Sequence, residues 1–180
     1  MPARNALPRT LRLLTLAAVL CAGAAHADDY ADVNQLLRAG NAAGAIARAD
    51  AYLASNARDP QMRFLKGVAQ TDLGKKADAI ATFTLLIEEY PELAEPYNNL
   101  AVIYAADGDL DKAKGALEMA VRNNPTYAVA HENLGDIYAR LAYQAYLRSQ
   151  DLDPRAATNL RPKLTQLRTM LQPAAAAAKK

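Results

Sequence analysis

The sequence predicts an all-α protein, a helical-repeat solenoid, because it agrees with itself. Displaced by 34 residues, Gly40 falls on Gly74 and then Gly108, and Ala45 falls on Ala79 and then Ala113. Pro91 falls on Pro125, and Asn99, Leu100, Ile103 and Tyr104 fall on Asn133, Leu134, Ile137 and Tyr138. A period of this length, with small residues, aromatics and a closing proline at fixed offsets, marks stacked helical units. Such units build a surface rather than a reaction centre, so the pattern points to binding and leaves the partner unnamed.

Residues 1–27 have another character. Arg4, Arg9 and Arg12 precede an apolar run from Leu13 to Ala22, and Ala25-His26-Ala27 forms an A-x-A frame before Asp28-Asp29. This is the order of a secretory signal peptide, with cleavage expected after Ala27. The run is too short to span a bilayer comfortably, so no transmembrane segment is expected after cleavage. The alternatives are an uncleaved anchor and lipidation at Cys21, which Leu20, a poor small residue, disfavours. The formal charge of +2 includes the three leader arginines, and the remaining chain carries 18 basic against 19 acidic residues. A near-neutral chain without a basic block excludes nucleic acid as the expected partner. Cys21 is the one cysteine, so the cleaved chain has no thiol to mispair in an oxidising compartment, and its core must hold without disulfides.

From Tyr97 the register is Tyr97-x2-Leu100-Ala101-x2-Tyr104, followed by Ala113, Leu117, Ala120 and Pro125. This resembles the tetratricopeptide repeat, W-x2-L-G-x2-Y…A-x3-F…P. Tyr97 replaces the Trp, Ala101 the Gly and Leu117 the Phe, each within its size class. The unit at 60–93 has Lys66 and Gln70 where the pattern has Leu and Tyr, but keeps Gly67, Gly74, Ala79, Phe83 and Pro91. Residues 30–59 read as a degenerate first unit carried by Gly40 and Ala45. Units 60–93 and 94–127 follow, then a truncated unit at 128–154.

The resemblance implies two antiparallel helices per unit. Gly67, Ala101 and Gly135 are expected where the first helix approaches the second, and Ala79 and Ala113 meet them from the other side. Tyr104, Phe83, Leu117 and Ala120 fill the space between. Gly74 and Gly108 follow first helices, where a left-handed cap is needed. Pro91 and Pro125 close their units, since proline lacks the amide that a continuing helix would use.

The unit at 128–154 is short. Tyr138 to Pro154 takes 16 steps where Tyr104 to Pro125 takes 21, and the missing five residues belong to the inter-helix turn. No Gly, Pro, Asn or Asp lies between Ile137 and Gln150, while Leu134, Tyr138, Leu141 and Ala145 continue one apolar stripe. The spacing predicts one long helix over 129–150; a tight hairpin near Arg140-Leu141 is the alternative. Beyond Pro154, Leu160, Leu164, Leu167 and Leu171 form a narrow stripe between Arg161, Lys163, Gln166 and Arg168. This predicts a C-terminal capping helix over 155–172, with Pro162 near its first turn. The same leucines are a possible seam for self-association or a partner helix. Residues 173–180, Pro173 and alanines ending in Lys179-Lys180, are expected to be a disordered tail.

Little in the chain suggests chemistry. His131, the one histidine of the cleaved chain, stands at the position of Tyr97 and is expected to pack. Without a second histidine or a cysteine, no transition-metal site is expected, and no cofactor. No nucleophile elbow, phosphate loop or H-E-x-x-H is present. Asp107-Gly108-Asp109-Leu110-Asp111 resembles the start of a calcium loop, but its Gly is early and no Glu stands twelfth, so it reads as the inter-helix turn. The acids at Glu88-Glu89 and Glu92-Glu95 read as solvated charge. No catalytic residue is assigned, and the chain is not expected to be an enzyme.

In tetratricopeptide domains the first helices line a concave face that takes an extended peptide or a helix. By register, that face here carries Glu95, Asn98, Asn99 and Val102, then Glu132, Asn133, Asp136 and Arg140. An asparagine offers donor and acceptor together, so Asn99 and Asn133 can hold a peptide backbone; the alternative is that they satisfy local backbone or water. The family's carboxylate-binding variant uses several groove lysines, which these positions lack. The resemblance and the leader together predict a non-enzymatic adaptor or scaffold, exported and periplasmic, whose partner is a protein or peptide. The alternative is an envelope-assembly chaperone holding unfolded clients, with Val68, Val102 and Ala105 as its apolar surface.

Overall fold

Three glycines punctuate the chain with left-handed backbone: Gly40 at φ +70°, Gly74 at +74° and Gly108 at +79°. Each ends a helix in a conformation that a side chain resists, so the 34-residue echo of glycine is an echo of turns. The structure is a computed structural model that describes residues 28–172. The expected signal peptide at 1–27 and the tail at 173–180 lie outside the described residues. The described chain is all-α, a helical-repeat solenoid whose residues form helices and short connections. Two compact units, Met1–Thr82 and Phe83–Lys180, divide within the fourth helix.

The first unit holds α1 (residues 28–38), α2 (Ala42–Leu53), α3 (Pro60–Asp72) and the start of α4 (Lys76–Glu89). Asn41 caps α2 by accepting from the Gly44 amide at 3.0 Å. Asp59 caps α3 through Oδ1 from the Met62 amide at 2.8 Å, with Pro60 pre-set at the first helical position. Val33, Ala45, Ala49, Tyr52, Met62, Leu65 and Ala69 form the buried core. The Tyr30 and Tyr52 rings meet at a 50° tilt with centroids 5.6 Å apart, and both hydroxyls donate to Oδ2 of Asp59, at 2.5 and 3.2 Å. One carboxylate thus caps α3 and ties it to α1 and α2. The two departures from the repeat pattern in α3 are both polar pairs. Lys66 meets Asp50 of α2 at 2.6 Å, and the buried Gln70 accepts from Thr82 Oγ1 at 2.7 Å.

The second unit holds the end of α4, then α5 (Ala94–Ala106), α6 (Leu110–Asn123), α7 (Ala128–Leu152), a 3-10 turn (Pro154–Ala156) and α8 (Ala157–Met170). Ala101, Ala113 and Ala120 are fully buried with Leu117 between them. Their methyl groups let α5 and α6 approach, and burying Leu117 contributes about 1.5–3 kcal/mol. Pro91 and Pro125 stand just past α4 and α6, as expected of residues that stop a helix. Asp107-Gly108-Asp109 is the turn between α5 and α6, and Asp109 caps α6 from the Lys112 amide at 3.3 Å.

The truncated repeat is one helix. α7 runs unbroken for 25 residues, so the chain passes straight through Arg140-Leu141, where a hairpin would have turned. Two expectations fail as a result. Gly67 and Ala101 are buried, but Gly135 is exposed, and nothing lies within 4 Å of where its Cβ would be. The register assigned Gly135 a crossing with a second helix that this unit does not form. His131 is likewise exposed instead of packed, with Nε2 3.0 Å from the Pro125 carbonyl. Leu160 of α8 is buried and Leu164, Leu167 and Leu171 are half-buried, so the leucine stripe is largely spent within the fold. Pro162 sits in the second turn of α8, beyond the position where its missing amide is without cost.

Candidate functional site

α5 and α7 lie side by side over α6, and between them is a depression of about 260 Å³. Its floor is apolar: Ala101, Ala105 and Ala106 from α5, Leu117 from α6 and Ile137 from α7. Val102, 47% exposed, stands on the α5 side. Asn133, Asp136 and Arg140 line the α7 side at spacings of three and four, which puts them on one helix face.

Four of the eight sequence-predicted positions therefore line one hollow: Val102, Asn133, Asp136 and Arg140. Asn98 is not in the lining but is bonded to it: only 6% exposed, its Oδ1 accepts from Asn133 Nδ2 at 2.9 Å. That bond joins α5 to α7 through the donor side of the Asn133 amide. Arg140 is steered toward α5, with Nη1 3.5 Å from the Ala105 carbonyl. The Asp136 carboxylate makes no hydrogen bond or ion pair among the described residues.

Glu95, Asn99 and Glu132 lie outside the lining. Asn99, the counterpart of Asn133, donates from Nδ2 to the Glu95 carbonyl at 2.9 Å, inside its own helix. The two asparagines are equivalent in sequence but not in use. Burial, and then the Glu95 carboxylate, push the Tyr127 phenol above its ordinary pKa. The sequence marked Ala101 and Leu117 as packing and Ile137 as the echo of Ile103, but gave none of them a place at a site, and Ala106 carried no signal of its own.

Tetratricopeptide-repeat family models match residues 30–94 and 94–127, together more than half of the chain. The chain belongs to the tetratricopeptide-repeat family. The matches take in the degenerate first unit, whose Gly40 and Ala45 had carried it alone. A tetratricopeptide repeat domain-containing protein of Arabidopsis thaliana, the chloroplastic PYG7, is 45% identical over 49 residues, 27% of this chain. The chain spans 16% of that protein's length.

Solved tetratricopeptide structures have the same fold. The first such domain of human RPAP3 is 20% identical with a TM-score of 0.60, over 63% of this chain and 90% of that one. A thermophilic tetratricopeptide protein of Thermus thermophilus is 24% identical with a TM-score of 0.60, over 80% of this chain and 81% of that one. Another structure shows the first tetratricopeptide domain of Spaghetti (RPAP3) bound to an HSP90 peptide, SRMEEVD; it is 20% identical with a TM-score of 0.59, over 63% of this chain and 90% of that one. Proteins of this family mediate protein–protein interaction. Among the described residues no helix is long and apolar enough to cross a membrane.

Proposed function

We propose that this tetratricopeptide protein is a non-enzymatic adaptor of the bacterial cell envelope, exported to the periplasm, which holds a segment of a partner protein between α5 and α7. The observation that carries the reading is the hollow itself. An alanine floor admits a chain close to the helix backbones, and its far side offers one amide, one carboxylate and one guanidinium. The Asn133 carbonyl oxygen accepts from a ligand amide, Arg140 donates to a ligand carbonyl or acid, and Asp136 selects a basic or donor group opposite it. Val102 and Ile137 take an apolar side chain. The HSP90 peptide held by a domain of the same fold supports a peptide as the occupant. Export rests on the leader, Arg4 to Ala27, and on a cleaved chain without thiols.

Capture of partners from an envelope extract tests this. Val102→Glu sets a carboxylate beside the apolar floor and should reduce recovery of a specific partner at least tenfold, whereas Asn99→Ala should leave it unchanged. Equal recovery by both variants would refute the groove. A wild-type protein that instead suppresses aggregation of many unfolded clients would favour the chaperone reading, with Val102 as its apolar contact.

A further inference from the structure

A second hollow, of about 200 Å³, lies between α7 and α8 and is lined by Tyr143, Gln150, Arg161, Leu164, Thr165 and Arg168. Tyr143 and Gln150 are seven residues apart on α7, as Arg161 and Arg168 are on α8. Seven residues make nearly two turns, so the arginines of α8 point the same way, about 10 Å apart along its axis. The burial of Leu160, and Lys163 Nζ set 5.1 Å from the centroid of the Tyr146 ring, hold α8 on α7. Neither the Arg161 nor the Arg168 guanidinium makes an ion pair or hydrogen bond among the described residues.

The charge around this hollow is lopsided in a way that near-neutrality conceals. Residues 141–172 carry five arginines and lysines against two aspartates, while residues 28–140 carry eleven basic residues against seventeen acidic ones. A positive field of this kind gathers anions.

We infer that the α7–α8 hollow binds an acidic peptide segment of a protein partner, one carboxylate on each arginine. The guanidinium fork matches a carboxylate bidentately. In an extended polyproline-type chain every third residue returns to the same side after about 9 Å, which matches the spacing of the two arginines. Tyr143, Gln150 and Thr165 supply donors and acceptors for the backbone between the two acids. A slot between two helices does not admit a flat bilayer, so a peptide fits it better than a lipid surface. This site is separate from the α5–α7 hollow and does not depend on its assignment.

The test is fluorescence anisotropy with the full chain and a labelled dodecapeptide, Glu-Pro-Ala repeated four times, at low ionic strength. Saturable binding is expected, with none to the Gln-Pro-Ala counterpart. Arg161→Gln with Arg168→Gln should weaken it at least tenfold. Arg38→Gln with Arg122→Gln removes the same charge elsewhere and should change it less than twofold. Val102→Glu should also leave it unchanged, which separates this site from the other groove. If the glutamine pair fails to fold, Arg161→Lys with Arg168→Lys decides: it keeps the charge, loses the fork, and should weaken binding several-fold. No binding by the wild type, or equal loss in the charge control, would overturn the proposal. So would retention of inorganic phosphate or phosphatidylglycerol vesicles without the acidic peptide.

Discussion

Asn133 donates from Nδ2 to Oδ1 of Asn98 at 2.9 Å, a bond that links two helices across 35 residues of sequence. Asn98 is buried, so its carbonyl oxygen has no water to fall back on. Asn99, one residue further on, spends its side chain on the Glu95 carbonyl of its own helix.

Asn133→Ala should therefore destabilise the protein by about 1–3 kcal/mol, because it leaves a buried acceptor unpaired. Asn99→Ala should cost less than about 1 kcal/mol, since its bond is local and near solvent. Urea denaturation of the two variants checks the order; a reversal would mean that the inter-helix bond does not form.

Gly135 and Gly108 should respond oppositely to alanine. Gly135 lies mid-helix with open space around its missing Cβ, so Gly135→Ala should stabilise by about 0.5–1 kcal/mol. Gly108, at φ +79°, should lose about 1–2 kcal/mol on the same change. Thermal melts read both, and a loss at Gly135 would indicate a helix packed against it.

Alkaline pH should weaken the first unit through Tyr30. Burial, and then its hydrogen bond to Asp59, raise the Tyr30 phenol above its ordinary 10.0. A folded-state pKa above the unfolded one favours the fold while the phenol is protonated. That contribution is whole below about pH 10 and is lost as pH rises beyond it. Tyr30→Phe should flatten this part of the stability profile, as read by denaturant midpoints between pH 8 and 11. An unchanged alkaline slope would remove Tyr30 from the account.

Export predicts a defined terminus. Protein recovered from the periplasm of a Gram-negative host should begin at Asp28 by intact mass. A full-length mass, or a lipid adduct on Cys21, would contradict the leader assignment.

What could be read from the sequence was whatever repeats locally. Gly74 and Gly108 adopt the left-handed backbone expected of them, and their echo Gly40 does too, because a turn is decided within a few residues. The long α7 was legible for the same reason: Ile137 to Gln150 contains nothing that turns a chain. Gly135 was misread because the register assumed a second helix that the shortened unit lacks. His131 failed likewise, having no partner helix to pack beneath. The Asn98–Asn133 bond and the Lys66–Asp50 and Gln70–Thr82 pairs were hidden, since each depends on which neighbouring helix comes alongside. The charge around Arg161 and Arg168 was concealed by averaging over the chain.

The account rests most heavily on the α5–α7 hollow as the place where a partner segment binds. Panning a displayed library of random dodecapeptides, then titrating an enriched peptide into labelled protein followed by amide NMR, tests this directly. The account predicts shifts concentrated at Val102, Ala105, Asn133, Asp136, Ile137 and Arg140, and at least tenfold weaker binding by Val102→Glu. Shifts confined to other helices, with full binding retained by Val102→Glu, would contradict it.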